Sequence, residues 1–320
     1  MNVSETKQFI WNKIFKMHYD ETFKKDSEIT KLVNPNNFIF KNTMDFQNND
    51  KIIWNYTSWD GFKAICKSNE YQIGHFRHMN DPMEFIHTEK LCLDALSNTD
   101  ATIDELIEFN NAWNILPFQD AYIWSFSLNH KNLALFSNYS GQNSDKGIAM
   151  GYDGQITMES LNDHFNKGIT STDQIDFGNA YIFCLKVSYD MELQNHITSL
   201  ISKEWLIDHR AAKMKVEAAK KIELLMTQLM FFCGLIFKNP DLHYEEEIRY
   251  VVLNKNDDTL IHPEGIRNDK PYVTCPICTS GMLTNAIIQA NSPHSIDEVN
   301  TILNNSNLND VDISLSELPY

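Results

Sequence analysis

The feature that most limits the fold of this chain is a set of short strand-like segments that do not alternate regularly with helices. The segments are rich in β-branched and aromatic residues. They lie at 51–58, 121–128, 147–153, 180–190, 245–253, 272–280, 285–292 and 311–318, with a further strand starting at Glu70. A parallel sheet needs a long crossover, usually a helix, between its strands. The pattern therefore favours an α+β domain with an antiparallel or mixed sheet.

Helical periodicity is found in the segments between these strands. Helices are predicted at 4–33, 59–69, 84–113 (broken by "SNTD"), 197–237 (one or two long helices) and 294–305, and "NLALFSNYS" is predicted to be a short helix or turn. Ser58 or Asp60 could cap the second of them. The sequence thus predicts an N-terminal helical extension at 1–50 and an α+β domain at 51–320, which includes a long helical insertion at about 190–240.

Composition indicates an ordinary globular protein with a strong acidic excess. Of 320 residues, 42% are hydrophobic, and the formal net charge is −16. Such a chain is a poor general binder of nucleic acid, because that binding rests on neutralising phosphates. The longest nearly apolar run, 224–237, is too short to span a bilayer comfortably. We therefore expect a cytoplasmic protein with no membrane partner and with reduced cysteines.

The stretch "HYEEEIRYVVL", 243–253, places charges at the start of a strand-like segment. In an extended chain, Glu245, Glu247 and Arg249 would project from one face, and Glu246 from the other. One interpretation is a solvated strand end with an ion pair. The other is a charged strand end that lines a cleft.

A second strand, "WSFS" at 124–127, alternates large apolar residues with serine. Ser125 and Ser127 would then share one face of the sheet. Two hydroxyl groups on one face suit a polar ligand or a carboxylate that must be held in place. A simple solvated face is the alternative.

Two clusters contain residue types that bind metals. His75, His78, Asp81, Glu84 and His87 lie close together in sequence, but "NDP" at 80–82 predicts a turn between them. In that interpretation, Asn80 and Asp81 cap the helix that follows. "CPIC", 275–278, is a lone pair of cysteines without a second ligand pair at a suitable spacing. Turn and buried-thiol interpretations are favoured, and no metal is expected.

The order of several short motifs resembles the bacterial domain family of unknown function DUF2971 over roughly residues 50–320. The motifs are "YTS" before a short helix, "NDPMEF", "SFS", "LFSNYS…KGIAMGYD", the E-x-E-x-R strand and the closing "VDISLSELPY". This family in turn looks distantly similar to the ADP-ribosyltransferase superfold. The resemblance implies a split mixed or antiparallel sheet.

The same resemblance implies a set of site residues for NAD as the substrate. Glu247 takes the catalytic role, with Glu245 as its accessory. The family pattern "YHYTS" reads "WNYTS" here, so that Asn55 stands where a ribose-holding histidine would be. The implied cofactor-binding residues are Asn55, Tyr56, Thr57, Ser58, Ser125, Ser127, Tyr139 and Arg249.

The expected function is therefore cleavage of the nicotinamide–ribose bond and transfer of ADP-ribose to an unknown protein or nucleic-acid acceptor. Toxicity or phage defence would be the setting. Two alternatives remain open. One is an inactive ligand- or partner-binding module of the same fold, suggested by Asn55. The other is a metal-dependent hydrolase built on residues 75–87. The N-terminal helix could mediate an oligomer or a partner contact.

Overall fold

The computed structural model of the chain describes residues 52–79, 83–114, 121–139, 146–166, 180–212, 216–254, 261 and 263–318. The helices in these ranges are α1 (Trp59–Ser68), α2 (Glu84–Ser97), α3 (Ile103–Asn114), α4 (Leu133–Tyr139), α5 (Gly154–Phe165), α6 (Met191–Ala212), α7 (Val216–Ile236) and α8 (Ile296–Asn305). The strands are β1 (Ile52–Thr57), β2 (Glu70–His75), β3 (Ala121–Ser127), β4 (Ile148–Asp153), β5 (Ala180–Lys186), β6 (Glu247–Asn254), β7 (Gly265–Arg267), β8 (Lys270–Pro276), β9 (Leu283–Ile288) and β10 (Asp312–Leu315).

The described residues fall into two compact units. Helices α2, α3, α6 and α7 belong to one unit, which draws on Arg77–Gln119 and Leu185–Leu242. Helices α1, α4, α5 and α8 belong to the other unit, together with nearly all of the strand residues. The predicted extension at 1–50 lies outside the described residues. The predicted boundary near residue 50 and the single domain at 51–320 stay predictions.

The ten strands of the described residues form one open sheet. The order along its main path is β10-β9-β4-β1-β3-β2-β8-β7, and β6 pairs with both β3 and β5. Most of the pairs are antiparallel, whereas β9 and β10 are parallel. The prediction of an α+β fold with a mixed, largely antiparallel sheet is therefore confirmed.

Strand β3 is the point at which this sheet branches. β6 pairs with β3 along the whole length of β3, from Ala121 to Ser127. The opposite edge of β3 is shared, because β2 pairs near Ile123 and β1 pairs at Ser127. The polar strand "WSFS" therefore lies where β1 and β2 separate.

The two faces of β3 differ in chemistry because its residues alternate. Trp124 and Phe126 project from what we term the aromatic face, where their rings contact Tyr152, and Phe126 also contacts Tyr250. Ser125 and Ser127 project from the opposite side, which we term the serine face. The aromatic face carries part of the core, since all four of these aromatic side chains are buried.

The helical unit contains a polar cluster between α3 and α6. The Arg210 guanidinium donates to both Glu105 carboxylate oxygens at 2.8 and 3.0 Å. The Glu105 carboxylate also accepts from the Thr102 amide at 2.8 Å, and the Thr102 hydroxyl accepts from the Glu105 amide at 3.3 Å. This reciprocal arrangement is a capping box at the start of α3.

Most of the elements predicted from periodicity are present. The break at "SNTD" separates α2 from α3, and the Ser58 hydroxyl caps α1 by accepting from the Gly61 amide at 3.1 Å. Helix α5 and the short strand β7 were not predicted. No helix among the described residues is both long enough and apolar enough to cross a membrane.

Candidate active site on the serine face

A buried ion pair stands at the start of β6. The Arg249 Nε donates to Glu247 Oε1 at 2.9 Å, and Nη2 donates to Glu247 Oε2 at 3.1 Å. Arg249 is fully buried, and only 5% of Glu247 is exposed. The prediction that these two residues share a strand face is confirmed. Such a two-pronged contact fixes the carboxylate in direction as well as in position.

Glu245 is not part of β6, and its predicted place in the strand is wrong. It ends the 3-10 helix Pro240–Glu245, and β6 begins only at Glu247. Between them, Glu246 has a φ of 43°, in the left-handed region that non-glycine residues seldom adopt. This residue turns the chain, so that period-two alternation cannot be extended backwards from Glu247 to Glu245.

Ser127 and Asn129 hold the segment that precedes Glu247. The Ser127 hydroxyl donates to the Glu245 carbonyl at 2.7 Å and accepts from the Asn129 amide at 3.1 Å. The Asn129 side chain donates to the Glu246 carboxylate at 2.9 Å, and the Leu128 amide donates to the Glu246 carbonyl at 3.1 Å. These bonds fix the left-handed turn from which the catalytic candidate emerges.

Sequence reasoning missed the two asparagines in this region. Asn132 donates to the Tyr244 carbonyl, and its side-chain oxygen accepts from the Leu135 amide at 3.1 Å at the start of α4. Asn129 also accepts from the Lys131 amide at 2.9 Å. The signal was present as an asparagine-rich turn, "NHKN", directly after a predicted strand.

Ser125 lies directly opposite Arg249 in the β3–β6 ladder. Its hydroxyl oxygen is buried and has no hydrogen-bond partner within the part of the chain that the structure describes. A buried hydroxyl without a partner is costly and calls for an explanation. Ser125 is thus a polar group with unused bonding capacity next to a fixed carboxylate–guanidinium pair.

Asn55 lies near this group but on the other side of the sheet. Trp54 pairs with Ser127, so that Trp54 and Tyr56 face the serine side and Asn55 faces the aromatic side. The Asn55 Nδ2 donates to the Ser125 carbonyl at 3.1 Å and to the Tyr71 hydroxyl at 3.2 Å. Asn55 therefore bridges the gap between β1 and β2 and does not project towards Glu247.

The other predicted cofactor-binding residues take varied places. The Tyr56 hydroxyl donates to the Asn129 carbonyl at 2.6 Å, and its ring packs edge-on against Phe136. Thr57 is half-buried at the end of β1, Ser58 serves as the cap of α1, and Tyr139 ends α4 with 38% of its surface exposed. The residues brought together on the serine face are Tyr56, Ser125, Ser127, Glu247 and Arg249.

The predicted metal-binding residues that the structure describes do not form a cluster. His75 is buried against Phe76 and Tyr122, and the His87 Nε2 lies 2.8 Å from the Gln194 Oε1. Among the residues that the structure describes, no three His, Cys, Asp or Glu side chains are arranged to hold a metal ion. The turn at 80–82 and the Glu84 side chain lie outside the described residues.

A cavity of about 500 Å³ lies elsewhere, at the start of α8. Its lining includes His294, whose ring stacks on Trp59 at 3.6 Å between centroids, and Asp297. None of the predicted site residues lines it. The carboxylate–guanidinium pair with an unused hydroxyl beside it is the stronger chemical signal, so we place the candidate site on the serine face.

Comparison with known proteins supports part of the sequence interpretation. The model of the family described as "Protein of unknown function (DUF2971)" matches residues 135–250. The match includes Tyr139, Glu245, Glu247 and Arg249, whereas β1 and the "SFS" strand precede it. No curated protein and no solved structure matches the chain.

Proposed function

We propose that this chain is an ADP-ribosyltransferase-like enzyme of a bacterial cytoplasm, with NAD as its substrate. It would cleave the nicotinamide–ribose bond and transfer ADP-ribose to a protein or nucleic-acid acceptor, in toxicity or phage defence. The observation that carries the proposal is the buried Glu247–Arg249 pair beside the Ser125 hydroxyl, which has no hydrogen-bond partner among the described residues.

The chemistry of the reaction suits a fixed carboxylate at this place. When the bond from the ribose C1′ to the nicotinamide nitrogen breaks, the electron pair leaves with nicotinamide, and positive charge develops on the ribose. A nucleophilic atom of the acceptor then bonds to C1′ and loses its proton. A carboxylate that is already oriented stabilises such a cation without reorganising. Glu247 has this role in the proposal, and Arg249 is the residue that orients it.

The test is release of nicotinamide from NAD by purified protein. Glu247→Gln is expected to reduce the rate by about 10²–10³, as for the loss of one electrostatic contact to the transition state. Because this change also removes the carboxylate that pairs with the buried Arg249 guanidinium, Glu247→Met/Arg249→Met serves as a second inactive variant that removes both charges. Glu246→Gln, an exposed neighbour, is the matched control and should keep wild-type activity, since the glutamine oxygen can still accept from Asn129. Equal rates for wild type and Glu247→Gln would exclude Glu247 from the mechanism.

A second candidate function, an inactive module that binds a nucleotide, is favoured by one specific observation. Asn55, in the position of the ribose-holding histidine, projects from the aromatic face and bonds to Ser125 and Tyr71. Calorimetry distinguishes the two functions. Binding of NAD without release of nicotinamide, with any acceptor tested, supports the binding module.

A further inference from the structure

The serine face continues beyond Ser125 onto β2 and β8. Gly74 lies opposite Ile123 on β3 and opposite Tyr272 on β8. Side chains two residues apart share a face. Gln72 of β2 and Thr274 of β8 therefore lie on the same side of the sheet as Ser125.

Gly74 leaves an open space in the middle of this face. Apart from its neighbours in the chain, no atom of the residues that the structure describes would lie within 4 Å of a Cβ atom built on Gly74. The φ of Gly74 is not positive, so its backbone conformation does not require glycine. The Tyr272 ring leans the other way, over Gly265, where a Cβ would lie 2.4 Å from the Tyr272 hydroxyl. Glycine weakens a strand, and in a strand interior it often marks a place where a ligand approaches.

A cation is held at the far side of this space. The Arg267 Nη1 of β7 donates to the Gln72 Oε1 at 3.3 Å, reaching across β8 towards β2. Both side chains are exposed. Strands β6, β3 and β2 are neighbours, so Gln72 lies two strand spacings, about 10 Å, from the strand that carries Glu247.

We propose that the space over Gly74 is the ligand groove of the Glu247–Arg249 site, and that Arg267 binds the diphosphate of the ligand. This inference rests on the proposed function for the dinucleotide and adds where its diphosphate lies. The guanidinium matches the geometry of phosphate oxygens. The groove has the Glu247–Arg249 ion pair and the Ser125 hydroxyl at one end and the Arg267 guanidinium at the other. A nucleoside diphosphate esterified to ribose fits that order of chemical groups.

Two variants and one control test the groove by calorimetric titration with ADP-ribose, ADP and adenosine. Gly74→Val should fold as well as wild type, because its side chain enters open space and valine favours strands. It should abolish binding of ADP-ribose. Arg267→Ala should lower the affinity for ADP-ribose and for ADP by about tenfold to a hundredfold. The affinity for adenosine should not change. Lys63→Ala removes an exposed cation that pairs with Asp60 on α1, and should bind like wild type.

The outcomes separate this inference from the proposed function. A folded Gly74→Val variant that binds ADP-ribose with wild-type affinity overturns the groove. Wild-type ADP affinity in Arg267→Ala overturns the diphosphate assignment, even if the wild type releases nicotinamide. If the variants bind as predicted but the wild type releases no nicotinamide, the ligand groove is supported and the transferase function is excluded. A wild type that binds none of the three ligands overturns the inference.

Discussion

At the scale of single residues, the Glu247–Arg249 pair dominates the energetics of the candidate site. Two opposite charges removed from water lose hydration that their mutual attraction only partly replaces. Such a pair is therefore weak evidence for stability and stronger evidence for a geometric requirement. It also affects the result of a substitution at Glu247, because the buried Arg249 guanidinium would lose the carboxylate with which it pairs.

We expect Glu247→Gln to lower the free energy of unfolding by about 3–5 kcal/mol, the usual effect of breaking a buried pair. Glu247→Met/Arg249→Met should recover most of this loss, since apolar side chains of similar size carry no unpaired charge. Urea unfolding of the three proteins measures both values. A double variant as unstable as the single one would show that other contacts of these residues, not the missing partner charge, set the stability.

Asn55→His tests which face of β1 meets the substrate. Because Asn55 faces the aromatic side and donates to Ser125 and Tyr71, imidazole would disrupt buried bonds without approaching Glu247. We expect a loss of stability of about 1–3 kcal/mol and no gain in nicotinamide release. Thermal unfolding and the release assay measure the two effects. A higher release rate in Asn55→His than in wild type would contradict the assignment of faces.

At the scale of elements, the sequence predicted correctly the features that depend on neighbouring residues within one strand. Alternation in "WSFS" and from Glu247 onwards placed side chains on the right faces, because period two is fixed within a strand. It failed at Glu245, where one left-handed residue and a 3-10 helix replaced the strand. The branch at β3 and the open space over Gly74 depend on pairings between distant strands, which no local pattern encodes.

The two elements that were not predicted differ in the strength of their sequence signal. Helix α5 buries Thr157, Leu161 and Phe165, spaced by four residues, so its signal was available in the sequence. Strand β7 has only three residues, which is too short for any period to emerge. Long-range register and very short elements are thus the parts of this fold that the sequence does not reveal.

The cap of α5 gives a test at this scale. The Asp153 carboxylate accepts from the Ile156 amide at 2.8 Å, and this satisfies a backbone donor that the helix cannot pair. Asp153→Ala should reduce the free energy of unfolding by about 1 kcal/mol. Asp163→Ala, an exposed position on the same helix, should change it by less than about 0.5 kcal/mol. Equal effects of the two changes in urea unfolding would show that the cap adds nothing.

The α3–α6 cluster predicts a dependence of stability on pH. Hydrogen bonds from Arg210 and Thr102 hold the pKa of Glu105 well below its usual value. A depressed pKa in the folded state stabilises the fold above the unfolded pKa of about 4.3, and this contribution is lost as the pH falls towards the folded value. The destabilisation caused by Glu105→Gln should therefore be largest near neutral pH and shrink below about pH 4. Urea unfolding across this range measures it, and a difference that does not vary with pH would contradict the prediction.

At the scale of the whole molecule, buried cysteines lie in both compact units, so their reactivity tests whether either unit opens. Cys66, Cys184 and Cys275 belong to the unit with the sheet, whereas Cys92 and Cys233 belong to the helical unit. All five are buried free thiols, and Cys278 is exposed. The two cysteines of "CPIC" thus differ, as one lies in the interior and the other at the surface.

Burial raises the pKa of the Cys66, Cys92 and Cys275 thiols to about 12, and raises those of Cys184 and Cys233 well above the usual value. Because the thiolate is the reactive form, these thiols are protected both by access and by protonation. At pH 8, a thiol reagent should therefore modify one cysteine quickly in the native protein and the other five only after unfolding. Mass spectrometry over time counts the modified residues, and Cys278→Ser should remove the fast reaction alone. Fast modification of a second cysteine would show that the unit to which it belongs opens in the native state, since neither its burial nor its pKa permits reaction in the closed form.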